Sequence, residues 1–118
     1  FLILKINHNK FGLIAEIIAV IFLKFKFYKI LQKNYRNKLG EIDIIAVKNG
    51  VLVAVEVKAR RKIRSFEEIL TKNQMNRIKR SMNTFYSKKK YYTKFDIRFD
   101  LIIIRPYKFP QHFKNFWN

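Results

Sequence analysis

Alternating apolar and polar positions divide the chain into a few predicted elements. The first, "FGLIAEIIAVIFL" at residues 11–23, is apolar on every side except at Glu16, which is typical of a buried helix. A transmembrane helix needs about 20 apolar residues, and this run is shorter and contains a carboxylate. We therefore predict a core helix and no membrane-spanning segment.

Three strands are predicted to follow this helix. Residues 26–36 alternate as a half-exposed strand does, and two more apolar segments run over 41–48 and 51–59. Asn49-Gly50 joins the last two, and this dipeptide favours a type I′ hairpin turn, in which both positions have positive φ. A two-residue turn sets the register, so the sequence predicts that Lys48 faces Val51 and that pairing continues outward from there.

A second helix and a last strand complete the predicted elements. The helix has two candidate starts that fit a capping box, Ser65 with Glu68 and Thr71 with Gln74. Residues 95–105 are predicted to form a central strand, and the aromatic tail after them to dock as a short helix.

The order helix, three strands, helix, strand predicts an α/β fold. At 118 residues the chain is long enough for one domain with a real core, and we predict a single domain over 1–118.

The predicted hairpin places acidic residues opposite each other. Counting outward from the turn, Asp43 faces Glu56 and Glu41 faces Lys58 on one side of the sheet. The other side carries the apolar neighbours Ile42, Ile44, Val55 and Val57, which are predicted to share one core. Facing carboxylates about 5 Å apart repel each other and can both stay ionised only with a cation between them.

A divalent metal with oxygen ligands solves this repulsion, and Mg²⁺ accepts few carboxylates and keeps water. The alternative needs no metal: Glu41 and Lys58 form an ion pair, and Asp43 or Glu56 is protonated or faces solvent. Four of the eight acidic residues belong to the elements around this point, which favours the metal. Glu16 is one of these four. An isolated acid in an apolar helix would be costly to bury, so we expect Glu16 to belong to the site.

Composition points to a polyanionic partner. The chain carries 26 Lys and Arg against 8 Asp and Glu, a formal charge of +18. Compositional drift towards lysine explains part of this, but not the scarcity of acids. Nucleic acid is the first candidate and a membrane surface the second. The absence of cysteine fits a reducing compartment, so we expect a cytoplasmic protein.

A metal between two carboxylates, with a lysine two residues beyond one of them, suits phosphodiester cleavage. The metal polarises the phosphoryl group and activates water, and Lys58 stabilises the developing charge. Arg60 and Arg61 leave the same strand and are candidates for gripping phosphates, although a solvated loop is the alternative.

Longer matches identify a family resemblance. Asp43 followed by Glu56-Val57-Lys58 resembles the motif of the PD-(D/E)xK nucleases. "GEIDIIA", "VLVAVEVKARR", "TKNQMNRI" and "RFDLIII" together resemble the YraN family of predicted endonucleases, over nearly the whole chain.

The resemblance implies a restriction-endonuclease-like αβββαβ core with a mixed sheet flanked by helices. It further implies Asp43 and Glu56 as metal ligands, Lys58 as the catalytic lysine and Glu16 as the acid that completes the site. Gln74 matches a polar helix position near the site, while Asn73 stands where the family often has lysine.

The leading hypothesis is therefore an endonuclease that uses Mg²⁺, or Mn²⁺ in its place, on nucleic acid. DNA is favoured as substrate, including branched or damaged structures. A nucleic-acid-binding module of nuclease fold that does not cut is the alternative, and a basic scaffold at a membrane surface is the third. Many enzymes that cut both strands act as pairs, so a homodimer stays open.

Overall fold

The computed structural model describes residues 8–117 and contains two long helices, two short helical segments and five strands in that range. In chain order these are α1 (His8–Phe25), β1 (Lys29–Asn37), β2 (Gly40–Lys48), β3 (Val51–Ala59), the one-turn α2 (Phe66–Ile69), α3 (Lys72–Lys88), a 3₁₀ turn (Lys90–Tyr92), β4 (Asp96–Ile104) and β5 (Gln111–Trp117).

The strands form one mixed sheet in the order β1-β2-β3-β4-β5. Neighbouring strands are antiparallel except β3 and β4, which are parallel and joined through α3. The predicted α/β class and the predicted order of elements are confirmed. The hairpin register is also confirmed from Lys48–Val51 to Ile44–Val55. Asn49 and Gly50 have φ values of 49° and 76°, as a type I′ turn requires.

The C-terminal tail forms strand β5, so the prediction of a short helix there was wrong. β4 is buried along most of its length and needs a neighbour on both edges to satisfy its backbone. β5 supplies the second edge, with Phe113 opposite Leu101 and Trp117 opposite Phe99. Trp117 covers the core at this edge, because it is buried and stacks on Phe99.

Each long helix covers one face of the sheet. α1 packs on the face that carries alternate residues of β2 and β3, together with the end of β4. α3 packs on the opposite face through an apolar stripe, of which Ile78, Met82 and Phe85 are buried. Burial of both faces explains why the central strands lack the polar alternation of a half-exposed sheet.

The expectation that α1 is buried on every side was partly wrong. Phe11, Ala15, Ala19 and Leu23 follow each other at four-residue spacing and are buried against the sheet. Leu13, Ile17 and Ile21 lie on the outer side and are exposed, because α1 packs against a single layer. No helix within residues 8–117 is long and apolar enough to cross a membrane.

The end of α1 contains a residue in an unfavourable conformation. Tyr28 N–H donates to Leu23 C=O and Phe27 N–H to Lys24 C=O, each at 3.0 Å, which is the hydrogen-bond pattern of a Schellman C-cap. Phe27 therefore has φ 68°, a region where glycine is preferred. Its side chain is 85% exposed, so it gains little from packing in return.

We expect Phe27→Gly to stabilise the protein. The substitution removes the steric cost of a left-handed phenylalanine and should raise the free energy of unfolding by about 1 kcal/mol. Denaturant unfolding followed by circular dichroism measures this change. Phe25→Ala, at an exposed helical position two residues earlier, is the matched control and should change stability by less than about 0.5 kcal/mol. A destabilised Phe27→Gly protein would contradict the steric cost assigned to the left-handed conformation of Phe27.

Candidate active site

Strands β2 and β3 separate at Asp43. Regular pairing runs from the turn to Ile44–Val55 and ends there. One step further, Val57 N–H donates to Asp43 Oδ2 at 2.8 Å, so a side chain takes the place of a backbone acceptor. The carboxylate of Asp43 is thereby held between the two strands by the backbone of β3.

The alternation of faces along β2 changes at the same residue. Ile44 packs beneath α1 with Val55 and Val57, as predicted, but Ile42 packs on the opposite face in the α3 cluster. The prediction that all four share one core was therefore wrong for Ile42. On the neighbouring strand, Asn34 has φ 52° and lies between the pairs Lys33–Ile44 and Tyr35–Ile42. Both strands are thus irregular at the level of Asp43.

Glu56 forms a carboxyl pair with Asp43. Its side chain is only 12% exposed. Burial, followed by a hydrogen bond with Asp43 and the negative charge of that residue, raises the pKa of Glu56 to about 9. Without a bound cation, Glu56 is therefore protonated at neutral pH and forms a hydrogen bond with Asp43. The close approach of these two acids, predicted from the hairpin, is found in the structure.

Lys58 lies beside this pair. Its Nζ is 3.6 Å from Glu56 Oε2, and its side chain is 15% exposed. The lysine favours the ionised form of Glu56, but burial and Asp43 outweigh it. The predicted register placed Glu41 opposite Lys58, and this prediction was wrong. Because β2 and β3 have separated, Glu41 instead pairs with Arg36 of β1 at 3.4 Å.

Glu16 approaches the pair from α1. Glu16 and Asp43 line one cavity of 350 Å³ between α1 and the first two strands, together with Leu13, Ile17, Val20, Ile21, Lys33, Asn34 and Ile44. Partial burial, then the charges of Asp43 and Glu41, raise the pKa of Glu16. Among residues 8–117, no three acidic or histidine side chains are close enough to form a metal centre. Glu16 is thus coupled to the pair by charge without completing a three-ligand cluster.

The predicted substrate-binding residues lie at the ends of nearby elements. Arg60 follows β3 and is held by its backbone, with its N–H donating to Ile104 C=O at 3.0 Å. The exposed guanidinium of Arg61 lies over the ring of Phe11. Gln74 accepts a hydrogen bond from Thr71 N–H at 3.0 Å, which completes the capping box of α3. The predicted start of α3 at Thr71 is confirmed. The side-chain oxygen of Gln74 accepts the hydrogen bond of this cap.

Two features were missed by sequence reasoning. Lys33 and Asn34 line the cavity, and only the three-dimensional pairing of β1 with β2 brings them beside Asp43 and Ile44. The second is a buried network around Asp100. Arg98 donates to both Asp100 oxygens at 2.8 Å, and His112 Nε2 lies 2.8 Å from Asp100 Oδ2. The pairing of β4 with β5 brings His112 there, and no local pattern indicates it.

The protonation of Glu56 makes stability depend on pH. A carboxyl group whose pKa is raised from 4.5 to about 9 on folding stabilises the protein below pH 4.5, and this contribution is lost as the pH rises towards 9. Glu56→Gln mimics the protonated acid at every pH. In metal-free buffer we expect the variant to melt roughly 5 °C above the wild type at pH 8.5, with the difference vanishing near pH 4.5.

Thermal unfolding at several pH values provides the measurement. Glu68→Gln, which changes an exposed acid in the one-turn helix α2, is the matched control and should show no such pH-dependent difference. A constant offset between Glu56→Gln and the wild type across this range would contradict a raised pKa at Glu56.

Comparison with known proteins assigns the chain to a family. A family model described as "Uncharacterised protein family UPF0102" matches residues 15–104. A UPF0102 protein of Agrobacterium fabrum is 36% identical over 102 residues, which cover 86% of this chain and 84% of the relative. One from Bartonella tribocorum is 34% identical over 106 residues, covering 90% and 82%. One from Parvibaculum lavamentivorans is 32% identical over 108 residues, covering 92% and 81%.

The match spans both members of the carboxyl pair, Lys58 and the parallel strands β3 and β4. It is consistent with the resemblance to the YraN family that the sequence motifs indicate. The chain belongs to the UPF0102 family.

Proposed function

We propose that this protein is a metal-dependent nuclease with a restriction-endonuclease-like core. The observation that carries the proposal is the buried Asp43–Glu56 pair with Lys58 beside it, placed where two strands separate. A structural role alone gives no reason to bury two acids together in a chain of +18 charge. A cation-binding role does, because two adjacent carboxylates become favourable when a metal takes the place of the proton on Glu56.

The residues present suit Mg²⁺. Asp43 and Glu56 offer oxygen ligands only, and Mg²⁺ is commonly bound by one or two carboxylates while it retains several waters. A pair of carboxylates without a third protein ligand therefore fits this ion, and Mn²⁺ accepts the same donors. The chemistry that a bound Mg²⁺ supplies is polarisation of the phosphoryl group and activation of water.

Lys58 has the complementary role in this proposal. Its ammonium group lies next to Glu56, and once Glu56 gives up its proton to bind a metal, the two form a close ion pair. A positive charge held in a mostly buried position is effective in stabilising negative charge that develops on a phosphate. Asp43 is fixed by Val57 N–H, so both acids are oriented before substrate binds.

Nucleic acid is the partner that the charge favours. Arg60 and Arg61 follow the site directly along the chain and are suited to phosphate contacts. On α3, exposed residues surround a hollow of 370 Å³ and add further phosphate-binding groups: Asn73, Asn76, Arg77 and Arg80. DNA is the first substrate to test.

A binding module that does not cut is the second candidate. The observation in its favour is the formal charge of +18, which suffices for binding to phosphates without any catalytic group. The same basic surface would serve such a module. The two candidates differ in what they require of Asp43, because only cleavage needs a carboxylate there.

We expect Asp43→Asn to abolish Mg²⁺-dependent cleavage. The rate should fall at least a hundredfold, while affinity for DNA stays unchanged or improves because a negative charge is lost. Cleavage is assayed on single strands, duplexes, flaps, four-way junctions and RNA, and affinity by fluorescence anisotropy in EDTA.

The matched control for this variant is Asp96→Asn, which removes the same charge from an exposed position at the start of β4. It should cleave like the wild type. Unchanged cleavage by Asp43→Asn would remove Asp43 from the mechanism, and no cleavage by the wild type with any substrate or metal would favour the binding module.

Metal binding should release a proton. At pH 7.5 Glu56 carries a proton that a metal ligand must lose, so we expect about one proton released for each Mg²⁺ bound. The apparent affinity should rise about tenfold per pH unit between pH 6 and 9. Calorimetric titration in two buffers with different ionisation enthalpies counts the protons. Glu56→Gln should bind Mg²⁺ more weakly and release none; proton-independent binding to the wild type would contradict this assignment.

A further inference from the structure

The loop between β4 and β5 carries two highly exposed aromatic side chains. It spans residues 105–110, "RPYKFP", and we refer to it as the aromatic loop. Tyr107 is 67% exposed and Phe109 is 91% exposed. Together with Lys108 and Pro110 they line a hollow of 280 Å³. Large apolar rings grouped at the surface in this way mark a binding surface more often than isolated exposed residues do.

The aromatic loop lies at the same end of the sheet as the carboxyl pair. β3 and β4 are parallel, with Lys58 beside Ile103 and Ala59 beside Ile104, so both strands leave the sheet at this end. Glu56 is in register with Leu101, three residues before the last residue of β4. The end of β4 is therefore about 10 Å along the strand direction from Glu56. Arg60 N–H donates to Ile104 C=O, which connects the segment that follows β3, with Arg60 and Arg61, to the start of the aromatic loop.

The combination of rings and cations suits one class of ligand. Aromatic faces stack on nucleobases irrespective of sequence, and neighbouring lysines and arginines follow the phosphates. Lys108 stands between the two rings in sequence, and Arg105 precedes them. In an intact duplex the bases are already stacked and paired, so exposed rings can reach only unpaired ones. The aromatic loop is thus matched to single-stranded nucleotides.

We propose that the aromatic loop binds an unpaired base close to the scissile phosphate. The preferred substrate class is then nucleic acid with a single-stranded segment at the cleavage point, such as a flap, a gap or a single strand. This inference deepens the proposed function and rests on nucleic acid being the partner. It assigns to Tyr107 and Phe109 the role of stacking groups, and to Lys108 the role of a phosphate contact.

The experiment compares binding to a single strand and to a duplex of the same sequence. The full chain is titrated, in EDTA, into a 20-nucleotide oligonucleotide labelled with fluorescein and containing one 2-aminopurine, whose fluorescence is quenched by stacking. The variants are Phe109→Ala, the double variant Tyr107→Ala/Phe109→Ala, and Phe109→Trp. Phe27→Ala is the matched control, because Phe27 is comparably exposed but precedes Tyr28, whose ring contacts Lys48 at the opposite end of the sheet.

We expect Phe109→Ala to weaken single-strand binding about tenfold and the double variant to weaken it further. Duplex affinity should change less than twofold, and the salt dependence of binding should stay the same because no charge is removed. The 2-aminopurine quenching should disappear in the double variant and persist in Phe109→Trp. Phe27→Ala should behave as the wild type.

Three outcomes would overturn the inference: equal losses on single strand and duplex, no loss on either, or an equal loss for Phe27→Ala. A fourth is a loss of binding to anionic phospholipid vesicles without a loss of single-strand binding, since this would make the aromatic loop a membrane contact. Melting temperatures of all variants identify any that fail to fold, and Phe109→Leu then replaces Phe109→Ala, because leucine keeps the apolar bulk but lacks an aromatic face.

The result is separable from the proposed function because binding is measured without metal. If the wild type does not cleave but the double variant loses single-strand binding, the nuclease proposal fails and the stacking role stands. If Asp43→Asn abolishes cleavage but the double variant binds single strands normally, the nuclease proposal stands and the stacking role fails.

Discussion

The hydrogen bond from Val57 N–H to Asp43 is the interaction on which the site depends. In a regular hairpin the amide of Val57 would bond to the backbone of β2, and the two strands would continue together. Here a side chain accepts that bond, so β2 is free to leave without stranding a buried donor. The separation makes room between the strands, and the carboxyl pair occupies it. The opening between the strands and the close approach of the two acids therefore have the same cause, which is this hydrogen bond.

The rest of the fold holds this opening in place. α1 covers the face beneath Ile44, Val55 and Val57, and its Glu16 lines the cavity that reaches Asp43. On β4, the buried Asp100 is held by Arg98 of the same strand and by His112 of β5, so a side-chain network joins these two strands. Although burial alone would raise the pKa of Asp100, hydrogen bonds from His112, Arg98 and Asn115 N–H hold it below its usual range. Asp100 and Glu56 thus carry opposite pKa shifts: hydrogen bonds to partners such as the Arg98 guanidinium outweigh burial at Asp100, whereas burial and the neighbouring Asp43 outweigh Lys58 at Glu56.

The sequence predicts most of the fold and the centre of the site for physical reasons that are local. Asn49-Gly50 determines the turn, the turn determines the register, and the register brings Asp43 to Glu56. It fails where a side chain replaces a backbone partner, since no pattern of apolar positions encodes that exchange. Ile42 and Glu41 were misplaced for this reason. β5 was missed because its strand character comes from pairing with β4 rather than from its own alternation, and the exposed side of α1 because composition alone cannot say how many layers cover a helix.

The parallel arrangement of β3 and β4 has a consequence for the order of folding events. The β2–β3 hairpin closes through two residues and can form within microseconds, whereas β4 joins only after the intervening chain with α3 has closed a long loop. Asp43 and Glu56 therefore meet while the hairpin is still surrounded by water, where two charges tolerate each other. We expect the proton, or the metal, to be taken up later, when docking of the helices dehydrates the hairpin. The barrier of that late step should then depend on pH and on the concentration of metal, while the nucleation of the hairpin should not.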